Sequence, residues 1–243
     1  MRLRERVHLV GSGWLGFGLT DRHDSHVYLL DGGAASVLVD AGCGLATDEI
    51  ADRVRATGAA PVTRILLTHG HADHAAGAGA LARALGGAQV CASPEVARML
   101  GDADEAATGL DVARAAGTYP PHLSLTPTEV DPVTGPIEAG DLRVTPIPTP
   151  GHAAGHLCYL ATGPGLRAVF TGDLVFARGR VAVLGTRDTD LGALRDSVDA
   201  VAATRPDALF PGHGSVALTG AAAHLDIAVA AFDRGALPPG LLP

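Results

Sequence analysis

The stretch Thr68-His69-Gly70-His71-Ala72-Asp73-His74 decides how the rest of the chain is interpreted. The apolar segment Arg64–Leu67 precedes it and predicts a buried strand. The Ala- and Leu-rich segment Ala75–Leu85 follows it and predicts a helix, which the glycine pair Gly86-Gly87 ends. Three histidines and an aspartate are therefore expected where a strand turns into a helix.

These side chains are of the types that bind metal ions. If the end of the strand stays extended, His69 and His71 point to the same side of the backbone. Asp73 and His74 then begin the helix, where a carboxylate also suits the free N–H groups. Imidazole and carboxylate together are ligands for zinc, iron or manganese, so the stretch predicts a metal site rather than a polar turn.

Composition limits the class of protein. The 243 residues are 47% hydrophobic and 18% charged, which is typical of a globular protein. The formal charge of −8 argues against a nucleic-acid partner, because binding phosphates needs clustered Lys and Arg. Neither a signal peptide nor a membrane-spanning run is visible, and the three widely spaced cysteines predict reduced thiols. We therefore expect a cytoplasmic protein without a membrane partner.

Short apolar runs predict a fold that alternates strands and helices. The turn Asp31-Gly32-Gly33 is expected to join two strands as a hairpin. Helices are expected over Leu45–Thr57, Asp102–Ala116, Asp190–Ala203 and Thr219–Phe232, and the proline-rich tail Leu237–Pro243 is not expected to continue the last one. Strands are expected at Val7–Val10, Val27–Leu30, Ser36–Val39, Gln89–Ala92, Asp141–Ile147, His156–Ala161, Arg167–Thr171 and Ala208–Phe210.

Residues 99–135 have a looser pattern than the rest of the single predicted domain, residues 1–243. Prolines at 120, 121 and 127 interrupt any regular element. Because a long irregular stretch inside a compact domain is often functional, we interpret this segment as a lid over the site. Tyr119 and His122 are then candidates for substrate contact, and the alternative is a surface insertion.

The second half of the chain repeats one arrangement three times. A short strand ends in a glycine-flanked loop that carries one candidate ligand, which is His152, Asp173 or His213. Glycine permits the sharp turn and the close approach of a bulky centre. Together with His69, His71, Asp73 and His74 they make seven ligands, enough for two metal ions that share one carboxylate.

The order His-x-His-x-Asp-His, then His, Asp and His resembles the metallo-β-lactamase superfamily across about residues 5–235. The strand end Val39-Asp40-Ala41-Gly42 is also similar to that family's pattern. The resemblance implies an α/β protein with an αββα sandwich, that is, two mixed sheets flanked by helices with the metals at one edge. It also implies that the first metal is held by His69, His71 and His152, the second by Asp73, His74 and His213, with Asp173 bridging both.

The resemblance further implies hydrolysis by a hydroxide that bridges the two metals, since bound cations lower the pKa of water. Esters, thioesters, lactones and phosphoesters all suit such a centre. Flavodiiron members have Glu where this chain has His71, and the best-known lactam-cleaving branch has Cys where it has Asp173, so oxygen reduction and β-lactam hydrolysis are not expected. The segment Asp173–Phe176 with Gly179-Arg180 resembles glyoxalase II and persulfide dioxygenases instead. Thirty residues follow His213, so the helical glutathione-binding part of glyoxalase II is not expected here.

Other polar residues are candidates for supporting roles. Asp40 is predicted to accept a hydrogen bond from a ligand histidine and to fix its tautomer, and the alternative is a turn carboxylate. His156 is either a proton donor beside the ligands or a packing residue at a strand start. His23 and His26 could reach the rim of the site, but a solvated loop is the favoured interpretation. Asp73, His156 and Asp40 are thus the predicted catalytic residues.

The sequence therefore predicts a dinuclear metallohydrolase that acts on an ester, thioester or lactone of a small molecule. Two divalent ions are expected, zinc first, with Fe²⁺ or Mn²⁺ as alternatives. The competing functions are a phosphodiesterase, a fold member that binds without catalysis, and a mononuclear iron persulfide dioxygenase with His69, His152 and Asp173 as ligands. Substrate identity stays open, and a homo-oligomer is compatible with the sequence.

Overall fold

The computed structural model describes residues 1–241, so the last two residues of the predicted proline-rich tail lie outside the described part of the chain. Two β-sheets dominate it. The first has seven strands in sequence order: β1 Arg2–Arg4, β2 Val7–Gly11, β3 Val27–Asp31, β4 Ser36–Val39, β5 Val62–Leu66, β6 Gln89–Ala92 and β7 Asp131–Pro132.

This first sheet changes from antiparallel to parallel at β4. The hairpin turn predicted at Asp31-Gly32-Gly33 joins β3 to β4, with Asp31 opposite Ser36, and the Asp31 carboxylate accepts a hydrogen bond of 2.9 Å from the Gly33 N–H. From β4 onwards the neighbours are parallel, so helical crossovers separate them. The parallel strands place the ends of β4 and β5 at one edge.

The second sheet has five strands in the order β12-β11-β10-β9-β8. Its neighbours are antiparallel except for the parallel pair of β11 and β12, so both sheets are mixed. The carboxyl ends of β9, β11 and β12 lie at one edge, because β9 and β11 both run antiparallel to β10. The strands are β8 Ile137–Ala139, β9 Leu142–Pro148, β10 Leu157–Gly163, β11 Leu166–Gly172 and β12 Ala208–Pro211.

Helices cover the outer faces of both sheets, and a buried apolar layer that includes Tyr28, Tyr159, Phe170 and Phe210 lies between the sheets. This αββα arrangement confirms the predicted fold class. None of the helices within residues 1–241 has the length and apolar character needed to cross a bilayer. The helices are α1 Thr47–Ala56, α2 Ala72–Ala75, α3 Ala78–Ala84, α4 Pro94–Gly101, α5 Leu110–Ala115, α6 Leu191–Ala203 and α7 Ala221–Asp233, and a 3₁₀ turn covers Ala177–Gly179.

Two predicted helices differ from the structure. The helix predicted over Ala75–Leu85 is interrupted at Gly77, which packs so closely on the backbone that an added Cβ would lie 2.6 Å from the Ala41 carbonyl oxygen. The helix predicted over Asp102–Ala116 is limited to α5. Its first part is replaced by turns, because the Asp104 carboxylate accepts from the Ala107 N–H at 2.9 Å and Gly109 adopts a φ of 72°.

The segment 99–135 contributes more buried apolar side chains to the core than an irregular lid would. Leu110, Leu123 and Leu125 are buried in the cluster beneath the first sheet, and β7 extends that sheet beyond β6. Only its middle part, Gly117–Tyr119, lines the cavity described below. The segment is therefore anchored at both ends and presents a short stretch to the site.

Candidate metal centre

The candidate ligands meet at one edge of the sandwich because each follows the carboxyl end of a strand. The stretch after β5 supplies His69, His71, Asp73 and His74, and β9, β11 and β12 are followed by His152, Asp173 and His213. Loops at such an edge are rigidly positioned by the strands that precede them. The structure thus brings together all seven residues from four separate parts of the chain.

His69, His71 and His152 form the first group. His71 Nδ1 lies 3.0 Å from His69 Nε2 and 3.1 Å from His152 Nε2. An imidazole nitrogen carries either one hydrogen or one lone pair, so His71 Nδ1 cannot satisfy both neighbours by hydrogen bonding. A shared cation satisfies all three nitrogens, and the group therefore fits a metal ion.

In two rings of this group, those of His69 and His152, the outer nitrogen has an acceptor that fixes the tautomer. His69 Nδ1 lies 3.0 Å from Thr68 Oγ1, whose own hydrogen is directed to the Asp40 carboxylate. His152 Nδ1 donates to the Ala182 carbonyl oxygen at 3.1 Å. Both rings therefore present an unprotonated Nε2 to the centre, which is the state that coordinates metals.

Asp73, His74 and His213 form the second group. One oxygen of Asp73, Oδ2, lies 3.0 Å from His213 Nε2 and 3.6 Å from His74 Nε2. The three ligand atoms lie within 4.8 Å of one another. Two imidazoles and a carboxylate are a common set for zinc and for other divalent metals.

Asp173 lies between the two groups. Its Oδ2 is 3.9 Å from His152 Nε2 in the first group and 3.5 Å from His213 Nε2 in the second. Its Oδ1 is 3.4 Å from His74 Nε2. One carboxylate thus faces ligands of both groups, which is the position a bridging ligand occupies.

Two buried atoms of the centre have no hydrogen-bond partner within the described residues, namely His74 Nε2 and Asp173 Oδ1. Buried polar atoms without partners are uncommon, and a cation would satisfy both. Burial opposes a charge on His74, but Asp73, Asp40 and Asp173 outweigh it and raise the His74 pKa well above its usual value. Surroundings that favour an imidazolium also favour a metal cation, so the residues fit one.

Asp40 contacts the centre from below. Its carboxylate accepts hydrogen bonds from the Thr68 N–H at 2.8 Å and from His74 Nδ1 at 2.8 Å. Asp40 has a φ of 63°, a left-handed conformation that aspartate tolerates better than most residues do. It therefore holds the His74 tautomer while its backbone turns sharply after β4.

His156 is buried beneath the ligands and does not face the cavity. Its Nδ1 lies 2.8 Å from Thr149 Oγ1, and its Nε2 accepts from the Asp173 N–H at 3.3 Å. Burial lowers the His156 pKa well below its usual value, so the ring is neutral. The nitrogen nearest the centre is thus an acceptor that supports the Asp173 backbone rather than a proton donor.

The glycines that precede His213 and Asp173 lie so close to other residues of the centre that a side chain would not fit. A Cβ on Gly212 would lie 2.4 Å from Asp173 Oδ1 and 2.6 Å from the His74 ring. Gly172, before Asp173, adopts a φ of 47° and would place a Cβ 2.7 Å from His156 Nε2. Larger residues at these positions would displace the ligands.

A cavity of about 310 Å³ opens beside the second group. Tyr119 lies in its lining and donates a hydrogen bond of 2.9 Å from its hydroxyl to Asp73 Oδ1. Burial and the Asp73 charge raise the Tyr119 pKa, so the phenol stays protonated. The other candidate from this segment, His122, is exposed and is not part of the lining.

The loop Ser12–Asp24 forms another part of the cavity wall, a role that was not predicted from the sequence. Trp14, Leu15 and Arg22 line the cavity together with His23. The available signal was the run Ser12-Gly13-Trp14-Leu15-Gly16-Phe17-Gly18, in which glycines flank large apolar residues ahead of the metal stretch.

His26 is buried, so the interpretation of a solvated loop is wrong for this residue. Its backbone N–H donates to the Gly212 carbonyl oxygen at 2.7 Å, and its Nε2 donates to the Gly214 carbonyl oxygen at 2.9 Å. These two bonds bracket His213. Burial lowers the His26 pKa to about 4, so the ring acts as a neutral donor that fixes the His213 loop.

The fold and the site define a class of αββα proteins with a histidine- and aspartate-lined metal centre at the sandwich edge. Residues 20–213 match the model of the metallo-beta-lactamase superfamily. The chain belongs to this superfamily, which confirms the resemblance drawn from the sequence.

Two curated relatives are named as a thioesterase and as a hydrolase. The chain is 28% identical over 193 residues to an atrochrysone carboxyl ACP thioesterase of Aspergillus fumigatus, covering 79% of this chain and 51% of the relative. It is 32% identical over 189 residues to a hydroxyacylglutathione hydrolase of Acidiphilium cryptum, covering 77% of this chain and 63% of the relative. The matched region thus spans about half to two-thirds of these relatives.

Solved structures support the same fold. A metallo-beta-lactamase of Cronobacter sakazakii superposes with a TM-score of 0.71 at 20% identity, covering 97% of this chain and 96% of that protein. A B3 metallo-beta-lactamase with an active-site glutamic acid superposes with a TM-score of 0.66 at 24% identity, covering 93% and 85%. At these identities the similarity establishes the architecture alone.

Proposed function

We propose that the protein is a dinuclear metal-dependent hydrolase that cleaves an ester, thioester or lactone-type bond of a small molecule. The observation that carries this proposal is the position of Asp173 between the groups His69/His71/His152 and Asp73/His74/His213. These residues would hold a pair of divalent ions, zinc in the first place and Fe²⁺ or Mn²⁺ as alternatives, which would supply a water-derived nucleophile near neutral pH and an electrophile for the substrate carbonyl.

The electrostatics of the residues support this role. Burial would raise the pKa values of Asp73 and Asp173, but the neighbouring histidines outweigh it and lower both. Burial lowers the His71 pKa to about 4, so this ring is neutral at physiological pH. Ionised carboxylates and neutral imidazoles are the protonation states that bind metals, so His74, whose pKa is raised, would release a proton when a cation binds.

The cavity supports a small-molecule substrate. Its lining includes Asp73 and His213, and the protonated Tyr119 hydroxyl bonds Asp73 beside them. A substrate in the cavity therefore has its reacting bond near the second group of ligands. The names of the two curated relatives favour an acyl thioester among the candidate bonds.

The described ligands contain no serine or cysteine, and all three cysteines are buried. Burial raises the pKa of Cys158 to about 12, so this thiol is not an activated nucleophile. We therefore expect direct attack by water without an acyl-enzyme. Mass spectrometry of the protein quenched during single-turnover hydrolysis should therefore show no covalent acyl adduct.

A substrate panel tests the proposed reaction. Zinc-loaded protein is assayed with 4-nitrophenyl acetate, an S-acyl N-acetylcysteamine, a γ-lactone and bis(4-nitrophenyl) phosphate. Turnover of the ester or thioester supports the proposal, and turnover of the phosphodiester alone would favour the phosphodiesterase. Oxygen consumption by iron-loaded protein with a persulfide, without ester hydrolysis, would identify the dioxygenase instead.

A further inference from the structure

The loop Ser12–Asp24 folds back on itself and places Trp14 beside Arg22. The Gly13 N–H donates to the Asp24 carbonyl oxygen at 2.9 Å, and the Trp14 N–H donates to the Arg22 carbonyl oxygen at 3.1 Å. The Arg22 guanidinium carbon lies 5.7 Å from the centroid of the Trp14 ring, which is a cation–π distance. The two side chains therefore form one unit at the side of the cavity.

This unit is exposed, although it contains a large aromatic residue. Trp14 is 67% exposed, and Phe17 on the same loop is also exposed. Large apolar side chains at the mouth of a cavity are typical of ligand contacts. The cavity extends from Trp14 and Arg22 to Asp73 and His213 at the candidate centre.

Arg22 has no carboxylate oxygen within 4.0 Å in the part of the chain that the structure describes. The neighbouring acidic groups are already bonded. Asp21 pairs with His23 at 2.7 Å, and the buried Asp24 carboxylate accepts from the Cys43 N–H at 2.8 Å. A chain with a formal charge of −8 thus keeps one unpaired guanidinium at the cavity.

We propose that Trp14 and Arg22 form a subsite for an anionic end of the substrate, remote from the bond that is cleaved. The Arg22 guanidinium binds a carboxylate or phosphate group, for which its planar donors are suited, and the Trp14 ring covers the adjoining apolar part. This inference rests on the proposed hydrolase function, and it narrows the substrate class to acyl esters or thioesters that carry an oxyanion.

A matched pair of esters tests the subsite by kinetics. Mono-4-nitrophenyl glutarate carries a carboxylate, whereas 4-nitrophenyl valerate has the same acyl length without the charge. Wild-type protein should prefer the glutarate, and Arg22→Gln should lower the ratio of kcat/KM between the two esters about tenfold, mainly through KM. Arg22→Lys should retain part of the preference. Arg234→Gln, which changes an exposed arginine at the end of α7, is the control and should keep the wild-type ratio.

A binding measurement keeps the test independent of turnover. Trp14 is the chain's single tryptophan, so its fluorescence reports on the subsite directly. Metal-loaded protein is titrated with 4-phenylbutyrate and with the neutral 4-phenylbutanamide. The acid should bind more tightly than the amide, and Arg22→Gln should raise the Kd of the acid about tenfold.

The outcomes separate the two proposals. Equal Kd values for acid and amide, or an unchanged Kd in Arg22→Gln, overturn the subsite even if both esters are hydrolysed. An Arg22-dependent preference for the acid supports the subsite even if neither ester is hydrolysed, and only the hydrolase proposal then fails.

Discussion

The Asp40 carboxylate accepts a hydrogen bond of 2.8 Å from His74 Nδ1, and both side chains are almost completely buried. Because the carboxylate can only accept, the imidazole carries a proton on Nδ1, which leaves Nε2, facing Asp73 and Asp173, as the nitrogen that can bind a metal ion. Asp40 thus sets the protonation of a candidate ligand without being one.

Asp40→Asn should weaken metal binding at the second group by about 10- to 100-fold, because the amide no longer enforces the tautomer of His74. The measurement is metal content after dialysis against graded chelator. Asp31→Asn is the control, since Asp31 also ends a strand and accepts from a turn N–H. Equal retention of both metals in Asp40→Asn and Asp31→Asn would show that Asp40 is only a turn residue.

Tyr119→Phe should release the second metal more readily while the first is retained. The variant keeps the ring beside His23 and removes only the hydroxyl that bonds Asp73 Oδ1. We expect a loss of about threefold to tenfold in affinity, which corresponds to the roughly 0.5–1.5 kcal/mol net contribution of one hydrogen bond. The chelator titration used for Asp40 measures it. Unaltered affinity at both sites in Tyr119→Phe would contradict a positioning role for the hydroxyl.

Leu123→Ala should lower the free energy of unfolding by about 2–4 kcal/mol, because Leu123 is buried in the cluster beneath the first sheet. Denaturant unfolding of metal-free protein measures this effect. Val112→Ala on α5 is the control, since Val112 is 60% exposed and its truncation should change stability by less than about 0.5 kcal/mol. Similar small effects for both variants would mean that segment 99–135 is a detachable insertion.

His26→Gln should make stability less dependent on pH in the acid range. Burial lowers the folded-state His26 pKa to about 4, below the unfolded value of about 6.5. Between these values the unfolded state binds more protons, so stability is present above pH 6.5 and is lost as the pH falls. Glutamine can keep the bond to the Gly214 carbonyl but does not titrate.

The difference in unfolding free energy between pH 7 and pH 5 should therefore be about 2 kcal/mol smaller in His26→Gln than in wild type. Denaturant titrations of metal-free proteins at the two pH values provide the comparison. His122→Gln, at an exposed position, should behave as wild type. A wild-type pH dependence in His26→Gln would mean that His26 is not held neutral by the fold.

The sequence was most informative where the chemistry is local. The stretch Thr68–His74 predicted a metal site, and the strands Ser36–Val39 and Gln89–Ala92 were predicted with the bounds that the structure shows. The types of the ligand residues and their spacing can be seen directly in the sequence. The period of the apolar residues and the positions of glycines indicate where strands end.

Relationships across the fold were beyond the sequence alone. The interruption of a helix at Gly77 depends on the Ala41 carbonyl, which is distant in sequence. The Tyr119–Asp73 bond and the Trp14–Arg22 unit likewise depend on how loops from different strands meet. The helix and strand propensities of individual residues contain no information about such tertiary contacts. Where the two disagree, the tertiary contacts determine the structure.

The central claim is that one carboxylate, Asp173, serves two metal ions that together support hydrolysis. The most direct test adds zinc stepwise to metal-free wild type and Asp173→Ala, and measures bound metal per chain and hydrolysis of 4-nitrophenyl acetate in the same samples. Wild type should bind two ions and become fully active only with the second, and Asp173→Ala should lose metal at both sites along with activity. Two tightly bound ions in Asp173→Ala, or full wild-type activity without metal or with a single ion, would contradict the account.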